Sequence, residues 1–152
     1  MTNIKTLFAA TALAATLSGC PSPQSNAPTT AETFVAVTQI VEHPSLDAAR
    51  QGIKDELAEA GLKEGETLKW KWQSAQGNPT TATQIATQLV GENPDVIVAI
   101  STPSAQAIAS ATQTIPLVFS AVTDPKSANL VPNLESPGSN ITGVSDLAPI
   151  AK

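Results

Sequence analysis

Three short runs, "FVAVTQIV" (residues 34–41), "DVIVAI" (residues 95–100) and "IPLVFSAV" (residues 115–122), are almost unbroken series of β-branched and apolar side chains. At this length they read as strands rather than helices. A strand with one face in water alternates apolar and polar residues. A run without that alternation needs cover on both faces, and parallel sheets sandwiched between helices provide it. The segments between the runs should therefore be helices.

Their periodicity agrees. After a connector "HPSLD", the stretch "LDAARQGIKDELAEAGL" places Ala49, Ile53, Leu57 and Ala60 on one face of a helix, with Arg50, Lys54, Asp55 and Glu59 largely outside it. Gly61 is positioned to end that helix. "GNPTTATQIATQLV" supplies Asn78 as cap, Pro79 at the first helical position, and Ala82, Ile85, Ala86 and Leu89 as a buried stripe. "PSAQAIASAT" is a third helix. "LKWKWQS" alternates, with Leu68, Trp70 and Trp72 on one face, which predicts an edge or half-exposed strand whose tryptophans pack against a helix. "NITGVS" is a final short strand. Strand and helix alternate throughout. The expected fold is α/β, a doubly wound parallel sheet with helices on both faces and right-handed crossovers.

The N-terminus is different material. Lys5 precedes an apolar stretch, residues 7–17, that is short for a bilayer span and ends in Ser18 and Gly19. "LSGC" resembles the lipobox of bacterial lipoproteins, which implies cleavage before Cys20 and lipidation of its thiol. The alternative is an ordinary secretory signal in which the chain's single cysteine lies there by chance. Residues 1–19 are thus expected to be a lipoprotein signal peptide. Residues 20–33, rich in Pro, Ser and Thr without apolar periodicity, are expected to be a flexible tether, and residues 34–150 the folded α/β part. Removing residues 1–19 takes away Lys5 and no acid, so 7 of the 8 basic residues remain against all 13 acidic ones. No basic run exists to neutralise phosphates, which argues against a nucleic-acid partner.

Catalytic signatures are absent from the sequence. It holds no G-x-G-x-x-G, no G-x-x-x-x-G-K-[ST] and no G-x-S-x-G. With one histidine and one cysteine, no metal site and no cofactor is expected. A Ser45–His43–Asp124 set can be assembled on paper, but nothing in the spacing demands it. Ligands of such sheets bind at the carboxyl ends of the strands. Those ends are residues 38–45, 74–78, 101–104 and 123–125, and all four are polar. At "STPSAQA" Thr102 is the expected N-cap and Pro103 the first helical residue. The N–H groups of Ser104 and Ala105 are then left for an anion, with the hydroxyls of Ser101, Thr102 and Ser104 beside them. Simple capping explains the same residues. Asp124, at the next strand end, can hold an ammonium group or can cap a turn.

"TQIVEHPSLDAARQGIKDELAEAGL", "PDVIVAISTPSAQA", "IPLVFSAVTDP" and "PGSNITGVSD" closely resemble the ABC-transporter substrate-binding proteins of the TrpX type. The resemblance runs from Phe34 to about Pro149. It implies the first lobe of a type I periplasmic-binding-protein fold, with the second lobe missing from a chain that looks truncated. It also implies a non-enzymatic solute-binding lipoprotein in the cell envelope, on the outer side of the cytoplasmic membrane or in the periplasm. Such a protein hands a small ligand, an amino acid and possibly an aromatic one, to an ABC permease. Carried over, Thr38, His43, Leu46, Gln76, Ser101, Thr102, Ser104, Ala105, Thr123 and Asp124 should line the lobe's half of the cleft. Thr102, Ser104 and Ala105 would take the carboxylate, Asp124 the amino group, and His43 and Leu46 the side chain. A ligand-sensing module of a membrane receptor is the alternative, and an enzyme on a similar scaffold the third reading.

Overall fold

The computed structural model describes residues 32–146. The segments expected to be a signal peptide (1–19) and a tether (20–33) lie outside the described residues, Cys20 included, except at the tether's end, where Thr33 instead opens the first strand. Five strands and three helices follow in the order β1 (Thr33–Gln39), α1 (Pro44–Glu59), β2 (Leu68–Ser74), α2 (Pro79–Gly91), β3 (Val96–Ile100), α3 (Thr102–Ala111), β4 (Leu117–Val122) and β5 (Ile141–Ser145). All strands are parallel, in the spatial order β2-β1-β3-β4-β5. The chain moves outward from β1 to the edge strand β2, then returns to the other side of β1 and continues through β3 to β5. The order therefore reverses between β1 and β3, which makes the carboxyl ends of those two strands the switch point of a doubly wound sheet.

The strands pack on both sides, as their lack of alternation requires. Phe34, Ala36, Ile97, Ala99, Leu117 and Phe119 join Ala82, Ile85, Ala86 and Leu89 of α2 and Ala105 and Ile108 of α3 in the larger core. Val35, Val37, Val98 and Ile100 face the other way and meet Leu46, Ala49, Ile53 and Leu57 of α1. Among the described residues helix α1 alone covers that side, and an apolar groove of about 230 Å³ runs beside it between Ile53, Leu57, Val96 and Val118. No helix among the described residues is long and apolar enough to cross a membrane.

Local chemistry sets the helix ends. Asn78 Oδ1 accepts the N–H groups of Thr80 and Thr81 at 2.8 and 3.2 Å, with Pro79 at the first position of α2. Helix α1 ends in a Schellman motif, where Leu62 N–H donates to Leu57 O, Gly61 N–H donates to Ala58 O, and Gly61 takes φ +92°. Helix α1 also begins earlier than its periodicity indicates. "HPS" is its first turn, with His43 as N-cap and Pro44 in the proline-favoured first position. Trp70 and Trp72 pack on α1 as expected. Arg50 lies 3.8 Å from the Trp72 ring centroid and Lys54 5.7 Å from that of Trp70.

Candidate ligand-binding site at the strand ends

Parallel pairing brings the four expected loops to one edge of the sheet. Gln39 pairs with Ser74 of β2 and with Ile100 of β3, and Ile100 pairs with Ser120 of β4. The segments that leave β1, β2, β3 and β4 therefore emerge side by side, with those of β1 and β3 at the centre.

The turn from β3 into α3 has no linker. Ser101 N–H donates to Ser120 O at 2.9 Å, completing the strand, while Ser101 O already accepts the first helical bond from Ala105 N–H at 3.0 Å. One residue makes the whole change of direction, and it does so at φ 86°, ψ 155°. That backbone region crowds a β-carbon and is otherwise left to glycine. The cap is thus Ser101, not Thr102, and Pro103 is the second helical residue rather than the first. Ser101's side chain makes no capping bond. The donors left over differ accordingly. Ala105 N–H is consumed by the helix and Pro103 has none, so the available amides are those of Thr102 and Ser104, at the positive end of the helix dipole.

Around this turn the side chains are also unsatisfied. Thr38 Oγ1, Gln39 Oε1, Ser101 Oγ and Ser104 Oγ are enclosed and have no hydrogen-bond partner. Their residues are 2%, 0%, 9% and 0% exposed, respectively. Buried polar atoms in native proteins are ordinarily paired. Four such oxygens at the two central strand ends mark a place where the fold has left bonds unmade. Of these, Thr38, Ser101 and Ser104 were candidates from sequence. Gln39 was not named, although a polar pair closing an apolar strand was the available signal.

The remaining candidates are distributed around this centre. His43 is exposed, and its Nδ1 accepts Ser45 N–H at 3.3 Å as the cap of α1. Leu46 is half-buried against the α1-side core. Gln76 is exposed at φ 52° with its side chain unengaged among the described residues. Thr123 is exposed, and its carbonyl accepts the Ser145 hydroxyl at 2.9 Å, tying β4 to β5. Asp124 caps the turn that follows. Its Oδ1 accepts Ser127 N–H at 3.0 Å and its Oδ2 accepts Ser127 Oγ–H at 2.6 Å. Those bonds, the hydroxyl first and the amide second, hold its carboxyl below the usual value, so an exposed negative charge stands at the end of β4. A carboxylate has acceptor capacity beyond two bonds. Among the described residues no group of three or more His, Cys, Asp or Glu is placed to hold a metal.

Comparison with known proteins gives a consistent result. The sequence model of the family described as ABC transporter substrate binding protein matches residues 34–152. The chain is 47% identical over 118 residues to a tyrosine-binding protein of Clostridioides difficile, covering 78% of this chain and 34% of that one. It superposes with a TM-score of 0.76 on the crystal structure of a conserved domain protein from Vibrio cholerae, at 62% identity, covering 77% of this chain and 40% of that one. An ABC domain from Streptococcus pneumoniae in complex with L-Trp matches with a TM-score of 0.73 and 43% identity, over 76% of this chain and 39% of that one. The chain thus spans between a third and two fifths of the length of these relatives.

Proposed function

The chain belongs to the ABC transporter substrate-binding protein family, and from that premise we propose that it captures an aromatic L-amino acid outside the cytoplasm and presents it to an ABC permease. The observation that carries this reading is the start of α3. Its amides at Thr102 and Ser104 are unpartnered, it stands at the switch point, and enclosed hydroxyls without partners surround it. A carboxylate is the small-molecule group that such an array of donors recognises best. Asp124 then takes the amino group, while Thr38, Gln76 and Thr123 complete the polar rim and His43 and Leu46 meet the side chain. Aromatic selectivity follows from the relatives, one named for tyrosine and one solved with L-Trp. Binding without chemistry accords with a site built of hydroxyls and amides. In this reading residues 1–19 act as a lipoprotein leader, Cys20 carries the lipid, and the residues after it form a tether to the lobe, which begins with β1 at Thr33.

The test is calorimetric titration of the chain with L-tyrosine, L-tryptophan and tyramine, which lacks the carboxylate. Binding of the two amino acids with no heat from tyramine supports the assignment. Equal affinity for tyramine removes the carboxylate from the α3 turn, and silence with every amino acid overturns the function.

A further inference from the structure

Gln39 ends β1 at the switch point, is fully enclosed, and has a side chain whose orientation is dictated by its neighbours. Its Nε2 donates to Val41 O and to Asp47 Oδ1, each at 2.8 Å. Both partners only accept hydrogen bonds, so turning the amide over would set oxygen against oxygen twice. Oε1 is therefore the free end of the amide, and it has no partner. Asp47 is itself held by Arg50, 3.2 Å away, whose guanidinium rests on Trp72. A carboxylate drawing on the N–H end of an amide makes its carbonyl a stronger acceptor.

We propose that Gln39 is a specificity-determining residue of the site, its side-chain oxygen accepting an N–H from the ligand's amino group while Asp47, braced by Arg50, holds the amide in that orientation. This rests on the amino-acid reading above and adds a second, desolvated acceptor to Asp124. A donor gains more from an acceptor shielded from water than from one already solvated and bonded to Ser127. Residues 41–43 are exposed and Val41 O accepts from the Gln39 amide, so in this proposal an amino group reaches Oε1 by displacing Val41 while the bond to Asp47 keeps the amide oriented.

The experiment compares two probes on three chains. The probes are L-tyrosine and 3-(4-hydroxyphenyl)propionate, which differ only in the amino group. The chains are the wild type, Gln39→Met and Asp47→Leu, the last freeing the amide without altering it should Gln39→Met fail to fold. The expected result is a loss of L-tyrosine affinity of about 10-fold or more, the scale of a hydrogen bond to a charged group. The propionate should change less than about 2-fold. Equal weakening of both probes overturns the proposal and assigns Gln39 to the framework alone. A wild-type chain that binds neither probe overturns the amino-acid reading and this proposal with it.

Discussion

Ser101 offers a direct test of whether the β3–α3 turn is strained. At φ 86°, ψ 155° it occupies a region that disfavours any residue with a β-carbon by about 1–3 kcal/mol. Two substitutions separate this from everything else the side chain does. Ser101→Ala and Ser101→Gly both remove the enclosed, unpartnered hydroxyl, so any gain from deleting that group is common to both. Only glycine also removes the β-carbon. Against the relief stands glycine's greater freedom in the unfolded chain, about 0.5–1 kcal/mol. The glycine variant should therefore be more stable than the alanine variant by about 1 kcal/mol, equivalent to about 4 °C in Tm for a domain of this size. Urea titration followed by circular dichroism measures the difference, with a shifted midpoint and an unchanged slope. If the glycine variant is no more stable than the alanine variant, the turn is not strained and the argument from backbone geometry fails.

Three further outcomes are expected. A β-carbon added at Gly143 would lie 2.1 Å from Phe119 O and 2.6 Å from its ring, so Gly143→Ala must push two strands apart and should cost about 3 kcal/mol in a urea melt. Asn78→Ala leaves the Thr80 and Thr81 amides without their cap and should lower stability by about 1 kcal/mol on the same assay. Glu92 is held below its ordinary pKa, first by the hydrogen bond from Lys71 and then by that from Gln88. A lowered folded-state pKa gives stability that is present above the unfolded-state value and is lost as pH falls through the folded one. The wild type should thus lose about 0.5 kcal/mol more than Lys71→Met between roughly pH 5 and 3 in parallel urea titrations, as for a half-exposed pair.

Most of the architecture was legible because it follows from periodicity. The stripe Ala82, Ile85, Ala86 and Leu89 is buried as written, β2 is an edge strand, and the run at residues 96–100 lies in the middle of the sheet. What escaped is decided by single-residue geometry. Any of Ser101, Thr102 and Ser104 can cap a helix, and the sequence does not say which. The choice fell to Ser101 because its N–H is tied to β4, which fixes where the strand must stop. The start of α1 was misplaced for a related reason. Histidine is an uncommon cap, yet its Nδ1 accepts an amide as a carboxamide oxygen does. Gln39 passed unnamed because what distinguishes it is one unmade bond, and whether a side-chain oxygen finds a partner depends on the folded surroundings rather than on the residue itself.

The three helices provide an internal control for reading the α3 turn as a site. All three follow parallel strands and start at the same edge of one sheet. Helix α1 is capped by His43 Nδ1 and helix α2 by Asn78 Oδ1, the ordinary way to satisfy early amides. Helix α3 is uncapped, although Ser101 has a hydroxyl at the capping position and Thr102 and Ser104 have others nearby. Folding alone favours turning one of those hydroxyls onto the open amides, at a gain of about 1 kcal/mol. The chain forgoes that bond and holds Ser101 in an unfavourable conformation at the same point. Local sequence does not account for this, since serine caps helices well. The carboxylate site proposed above would, because an anion seated on the free amides stabilises the native state by mass action. At a concentration 100 times its Kd that amounts to about 2.7 kcal/mol, more than the missing cap. Among the described residues, the least satisfied helix start is thus the one at which the proposed carboxylate would return the most.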